Sequence, residues 1–221
     1  MNLPRTLCIA ALAAAIPCGA AEIAYEVLPD IPAVKWCDTE YGNVVKAIYL
    51  KDAAGSGVVL FADSGPQVTK QPPPPGISPE SMAATASRDL QAVRYSTWPK
   101  DRRAIKLWQV HDYIHDCIAS LEAEFSLKHI RVTDLDRNGL AEVWIPYSMT
   151  CHGDVSPRRL KIIMYEGSKK LAVRGEELLR IPGEVYGGRA TLSAPAGTPR
   201  SIIDYAKVLW KEFSGGGSVK P

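Results

Sequence analysis

His129-Ile130-Arg131-Val132-Thr133, then Asp134-Leu135-Asp136-Arg137-Asn138-Gly139-Leu140-Ala141-Glu142, then Val143-Trp144-Ile145-Pro146-Tyr147 follow one another without a break, and their reading decides the fold. The outer two segments are dense in β-branched and aromatic residues, which pack well on a pleated surface. The middle is polar and holds Asn138-Gly139, a pair that accepts the backbone of a tight reversal. Two strands joined by an acidic loop are expected. Outward from there the texture repeats: Leu90 to Tyr95, Ile105 to Val110, Leu160 to Tyr165 and Leu171 to Val173 are short or alternating apolar runs, most of them bounded by turn residues. Alternation of this kind marks antiparallel strands with one face on a core, so a mainly β fold, a meander or sandwich, is predicted.

Farther out, Val44 to Leu50 and Val58 to Phe61 flank Ala53-Ala54-Gly55-Ser56-Gly57 and read as a hairpin within Asn43 to Asp63. Ser64 to Ser87 contains Pro72-Pro73-Pro74-Pro75-Gly76, which cannot donate to a strand ladder and is expected to be a mobile loop (64–87) inside one domain. Leu107, Val110, Ile114, Ile118, Leu121 and Phe125 also fall at helical spacing, so a helix between Trp108 and Glu124 competes with a strand there. The clearest helix comes last. Thr198 suits its cap and Pro199 its first turn, Ile202, Ile203, Ala206, Leu209, Trp210 and Phe213 make one stripe, and Gly215 to Gly217 end it before a flexible tail, 214–221.

The N-terminus reads as an export signal. Arg5 precedes an apolar run, Leu7 to Ile16, too short for about 30 Å of hydrocarbon, and Pro17 to Ala21 supply a breaker and small residues, so cleavage after Ala20 or Ala21 is expected. A single β-rich domain, 22–221, then works in the periplasm or outside the cell. With 26 basic and 24 acidic side chains in the whole chain, and one of the former in the leader, no field of one sign points to nucleic acid, and no later segment can span a membrane. Cys37, Cys117 and Cys151 remain after cleavage, and an oxidising compartment favours one disulfide among three pairings. Cys117 with Cys151 is the preferred pair, because it closes the segment that holds the acidic loop.

Within that loop Asp134, Asp136, Asn138 and Glu142 occupy positions one, three, five and nine, Leu140 at position seven offers its backbone carbonyl, and Gly139 supplies the turn. Oxygens at these intervals converge on a hard cation, with calcium the expected ion, since zinc prefers nitrogen or sulfur and magnesium a stricter octahedron. The twelfth position is Ile145 and the flanks are strand-like, which excludes an EF-hand. The nine-position pattern resembles the calcium loops of FG-GAP and VCBS-type repeat proteins, and the resemblance implies a structural ion between strands. A broader stretch, Val132 to Asp136 through Cys151, Asp154, Ser156-Pro157 and Lys161 to Gly175, resembles exported bacterial proteins of unknown function loosely labelled as surface-polysaccharide proteins. That resemblance implies that the loop, Cys151 and the following hairpin form one unit.

Catalytic motifs are scarce: there is no nucleophile elbow, phosphate loop or dinucleotide fingerprint. His111 and His115 share a face and, with His152, could build an open zinc site for hydrolysis of envelope polymers. The leading expectation is a noncatalytic, calcium-stabilised β domain that binds a cell-envelope glycan or an exported protein, with a zinc hydrolase and a periplasmic inhibitor or immunity protein as alternatives.

Overall fold

The structure is a computed structural model and describes residues 23–28, 40–70, 84–97 and 104–220. The expected signal segment, Cys37, and the proline run of the 64–87 loop lie outside these residues. Alternating sequence becomes strand nearly throughout. β1 (Ala24–Val27), β2 (Asn43–Asp52), β3 (Gly55–Asp63), β4 (Gln67–Lys70), β5 (Ala84–Thr97) and β6 (Ala104–Cys117) form one antiparallel sheet. In it β6 runs along one edge of β5, while β3 and β4 share the opposite edge end to end. The ends of the expected 64–87 loop are therefore strand, at Gln67–Lys70 and from Ala84 onward.

The second sheet starts from β7 (Ser120–Phe125), β8 (Arg131–Thr133), β9 (Glu142–His152), β10 (Arg159–Glu166) and β11 (Lys169–Glu176). After a separate hairpin of β12 (Leu178–Ile181) and β13 (Glu184–Gly187), it is completed by β14 (Arg189–Ser193) and β15 (Ser218–Lys220), in the order β15-β14-β11-β10-β9. β7 and β8 lie one after the other on the free edge of β9. This placement explains Pro146 in the middle of a central strand. β7 ends opposite Tyr147 and β8 begins opposite Trp144, so the missing N–H of Pro146 falls in the gap between them, where its carbonyl accepts the Ser126 N–H at 2.9 Å.

Strand alternation sorts the second sheet into two apolar faces. Val143, Ile145, Tyr147, Met149 and Ile163 meet Ile48, Leu50, Val59, Phe61, Leu90 and Trp108 of the first sheet in one buried cluster. Trp144, Leu160, Ile162 and Met164 face the other way, onto Ile202, Ala206, Leu209 and Trp210 of α1 (Arg200–Phe213). The layers are sheet, sheet and helix, and the mainly β expectation with a C-terminal helix holds.

One open choice is decided, and two local expectations differ. The 107–125 stretch is β6 and β7, not helix: Leu107 and Ile118 of the helical stripe are 46% and 78% exposed, whereas Trp108 and Val110 point into the core at strand period. Pro199, not Thr198, is the helix cap, and the Thr198 hydroxyl bonds the Pro195 carbonyl instead. The expected flexible tail carries β15, paired in parallel with β14, because Gly215 and Gly216 at φ 75° and 110° turn the chain back onto the sheet.

Cys117, at the end of β6, is disulfide-bonded to Cys151 in β9, as the sequence favoured, so the bridge ties the two sheets together. With the cysteines 34 positions apart in the sequence, chain entropy puts its contribution at about 3 to 4 kcal/mol. Changing both Cys117 and Cys151 to alanine should lower the urea-unfolding free energy by about that amount without altering the far-ultraviolet signature of the sheets; a loss below about 1 kcal/mol would show that the packed layers alone hold the sheets in register.

Candidate metal centre

Glu142 opens β9 and Glu166 closes β10, and the strand register sets them directly opposite each other. Both are buried, at 0% and 2% exposed. The Glu142 carboxylate accepts the Thr133 hydroxyl at 2.7 Å and the Leu135 N–H at 2.8 and 3.0 Å on its two oxygens. Asp134 accepts the Asn138 N–H at 3.0 Å on one oxygen and the Gly139 N–H at 3.1 Å on the other. The turn that permits this places Arg137 and Gly139 at φ 60° and 79°, left-handed values that glycine takes without strain. Asp134, Asp136 and Glu142 consequently each present an oxygen within 4.8 Å of the other two.

Such crowding has an electrostatic cost. Burial pushes the Glu142 carboxyl above its ordinary value, and the charges of Asp136 and Asp134 push the same way, against the bonds from Thr133 and Leu135. Among the described residues no side-chain cation pairs with any of the three. Arg137 is exposed and makes no ion pair, and Lys169 sits 3.1 Å from Glu166 instead. The donor set is all oxygen, which fits a hard divalent ion such as calcium or magnesium and does not fit zinc.

Of the five expected ligand residues, the three carboxylates converge. Asn138 stands at their margin: its amide nitrogen donates to Asp136 at 3.0 Å and to Glu166 at 2.7 Å, and its oxygen accepts the Leu140 N–H at 2.7 Å. Glu166 was not legible in the sequence. Glu166-Gly167-Ser168-Lys169 reads as an ordinary hairpin turn, and only the β9–β10 register brings it beside the loop.

No family model matches the chain, and no curated protein or solved structure matches it either.

The loop is also fastened to the first sheet. At the β2–β3 turn the Ala53 N–H donates to the Gly139 carbonyl at 2.8 Å, and the Ala141 N–H donates to Asp52 at 3.1 Å. The same Asp52 oxygen pairs with Arg94 at 2.9 Å, with both residues buried. A buried charge left without its partner is expensive, so Asp52→Ala, which strands Arg94 and the Ala141 N–H, should cost about 3 to 5 kcal/mol in chemical unfolding; a loss below about 1 kcal/mol would mean that water reaches Arg94.

The histidines do not form the expected zinc site. His111 and His115 lie on β6 and share one acceptor, Asp89, at 2.8 and 3.3 Å, with Tyr41 stacked on His111 at 3.7 Å between ring centres. His152 lies in β9 beside the disulfide. Among the described residues the acidic loop is the only place where three His, Cys, Asp or Glu side chains bring ligand atoms together. Ser126, His129 and Glu212 do line up, at 2.7 and 3.5 Å, but Ser126 and His129 belong to one backbone-bonded turn and Glu212 also faces Arg131 at 3.5 Å. That set braces the turn beneath α1. Burial lowers the His129 pKa, against the pull of Glu212. The neutral ring therefore contributes stability that is complete above the unfolded value near 6.5 and is lost as pH falls through the lower folded value. A proton-NMR titration of the imidazole should place the His129 midpoint below 6.5; a midpoint above it would mean that Glu212 dominates.

Proposed function

We propose that the protein is an exported, noncatalytic, calcium-stabilised β domain whose ligand is a cell-envelope glycan or another exported protein. The observation that carries this reading is the convergence of Asp134, Asp136 and Glu142 at the head of β9, where one buried and two half-buried carboxylates crowd together without a cationic side chain to neutralise them. A divalent ion supplies the missing charge. Its role is structural, because the loop bonds to Asp52 and Ala53 of one sheet and to β9 and β10 of the other. Calcium is favoured over magnesium by the irregular donor set and by the low cost of removing its water.

The loop's likeness to the calcium loops of FG-GAP and VCBS-type proteins points the same way. A binding role is supported by what the site is made of: carboxylates held by backbone N–H groups inside a turn, with His111 and His115 engaged at Asp89 instead. Thermal unfolding tests the reading. At 100 times its dissociation constant, calcium stabilises by about 2.7 kcal/mol, which is about 5 to 10 °C for a chain of this length. About 10 mM calcium, roughly 10 to 100 times a dissociation constant of about 0.1 to 1 mM, should raise Tm by about 3 to 10 °C over chelator, and Asp136→Ala should abolish the difference; equal midpoints for the wild type in calcium and chelator would overturn the structural-ion role.

A further inference from the structure

The opposite end of the second sheet carries the reverse charge. Register pairs Arg159 with Glu176 and Lys161 with Arg174 across β10 and β11. The β11–β14 register, which sets Arg174 against Thr191 and Gly175 against Ala190, brings Arg189 to the other side of Glu176. Strand alternation puts all five charged side chains on one face, the side of the sheet that carries Ile163 and Ala172. Four cations thus surround one carboxylate, with Arg159 and Arg189 two strands apart, about 10 Å. Arg159, Arg174 and Arg189 are exposed, and their guanidinium groups make no hydrogen bond or ion pair among the described residues; Lys161 alone is engaged, with Asp112.

The grid lines an open concavity of about 400 Å³. A second concavity of about 320 Å³ continues from it, sharing Arg159 and Glu176 and reaching Asp154 and His152. Both ring nitrogens of His152 are shielded from solvent, and Nδ1 faces the Asp154 carboxylate at 3.7 Å. Together these make a shallow, open surface groove along which unpaired guanidinium forks, suited to bidentate carboxylates, stand at intervals.

We propose that this groove binds an acidic polysaccharide through its carboxylates. The inference rests on the glycan half of the function proposed above and names the class of glycan. Charge complementarity selects a polyanion, and the remaining chemistry selects among polyanions. Protein partners are anchored by buried aromatic or aliphatic side chains, and no exposed large apolar residue lines the groove. Single-stranded nucleic acid needs aromatic platforms for its bases, and none is exposed here. A repeating chain of carboxylated sugars needs neither.

The test is affinity electrophoresis of the exported protein through gels containing polygalacturonate, neutral dextran or polyuridylate. Polygalacturonate should retard the wild type in a salt-sensitive way, and a variant carrying Arg159→Ala with Arg189→Ala should bind at least tenfold more weakly. Lys70→Ala, an exposed cation on β4, should behave as wild type. The three Arg and Lys positions changed are exposed, so circular dichroism should show folded variants. Absence of retardation by polygalacturonate, or equal retardation of wild type and the double variant, overturns the proposal. Retardation by dextran alone overturns it while leaving a glycan ligand standing, and polyuridylate matching polygalacturonate overturns the choice of a polysaccharide.

Discussion

Mutual repulsion among Asp134, Asp136 and Glu142 is the constraint on which the arrangement around the loop depends. Their oxygens lie within 4.8 Å of one another, and Glu166 stands across the strand from Glu142. Backbone N–H groups of Leu135, Asn138 and Gly139 offset part of the cost by pointing at these carboxylates. They do not remove the net charge. The loop is held closed on both sides, by the Thr133 hydroxyl within the second sheet and by Asp52 and Ala53 from the first. A bound ion would therefore lock two sheets as well as one turn. Asp52 links that lock to the buried Arg94 in β5, so the loop, the β2–β3 turn and the middle of the first sheet respond to perturbation together.

The charges are arranged along the strands with opposite signs at their two ends. β10 begins at Arg159 in the basic groove and ends at Glu166 beside the acidic loop, roughly 25 Å away at strand rise. A cation in the loop and a polyanion in the groove would each meet complementary charge, and the distance exceeds the screening length in physiological salt, so neither repels the other's ligand. Near-zero net charge in the sequence concealed this separation, since a balanced total says nothing about where the charges lie.

How much was legible follows from which signals are local. Most strand alternation around 90–174, the β2–β3 hairpin, the body of α1 and the spacing that brings Asp134, Asp136 and Glu142 together are short-range patterns, and these emerged as read. The Cys117–Cys151 bridge was chosen correctly because it encloses the loop. Long-range pairing was not legible. Glu166 enters the site through the β9–β10 register, Asp52 through the packing of one sheet on another, and Arg189 joins Arg159 across two strand pairings. The β6 segment was ambiguous because Leu107, Val110 and Ile114 satisfy both a helical and, in part, an alternating pattern; the 14-residue strand β5 alongside it decides the outcome by supplying a backbone ladder. The zinc reading of His111, His115 and His152 finds no support in the side-chain placement, since the first two both turn to Asp89 and the third lies on a strand of the other sheet.

The most direct measurement of the ion is residue by residue. In a calcium titration followed by amide NMR of the folded protein, the account predicts saturable changes confined to residues 134–142, their contacts at Asp52 and Ala53, and Glu166, with one site and a dissociation constant on the order of 0.1 to 1 mM. Amide signals of the loop that stay unmoved to 10 mM calcium, or that move no more than the rest of the surface, would contradict it.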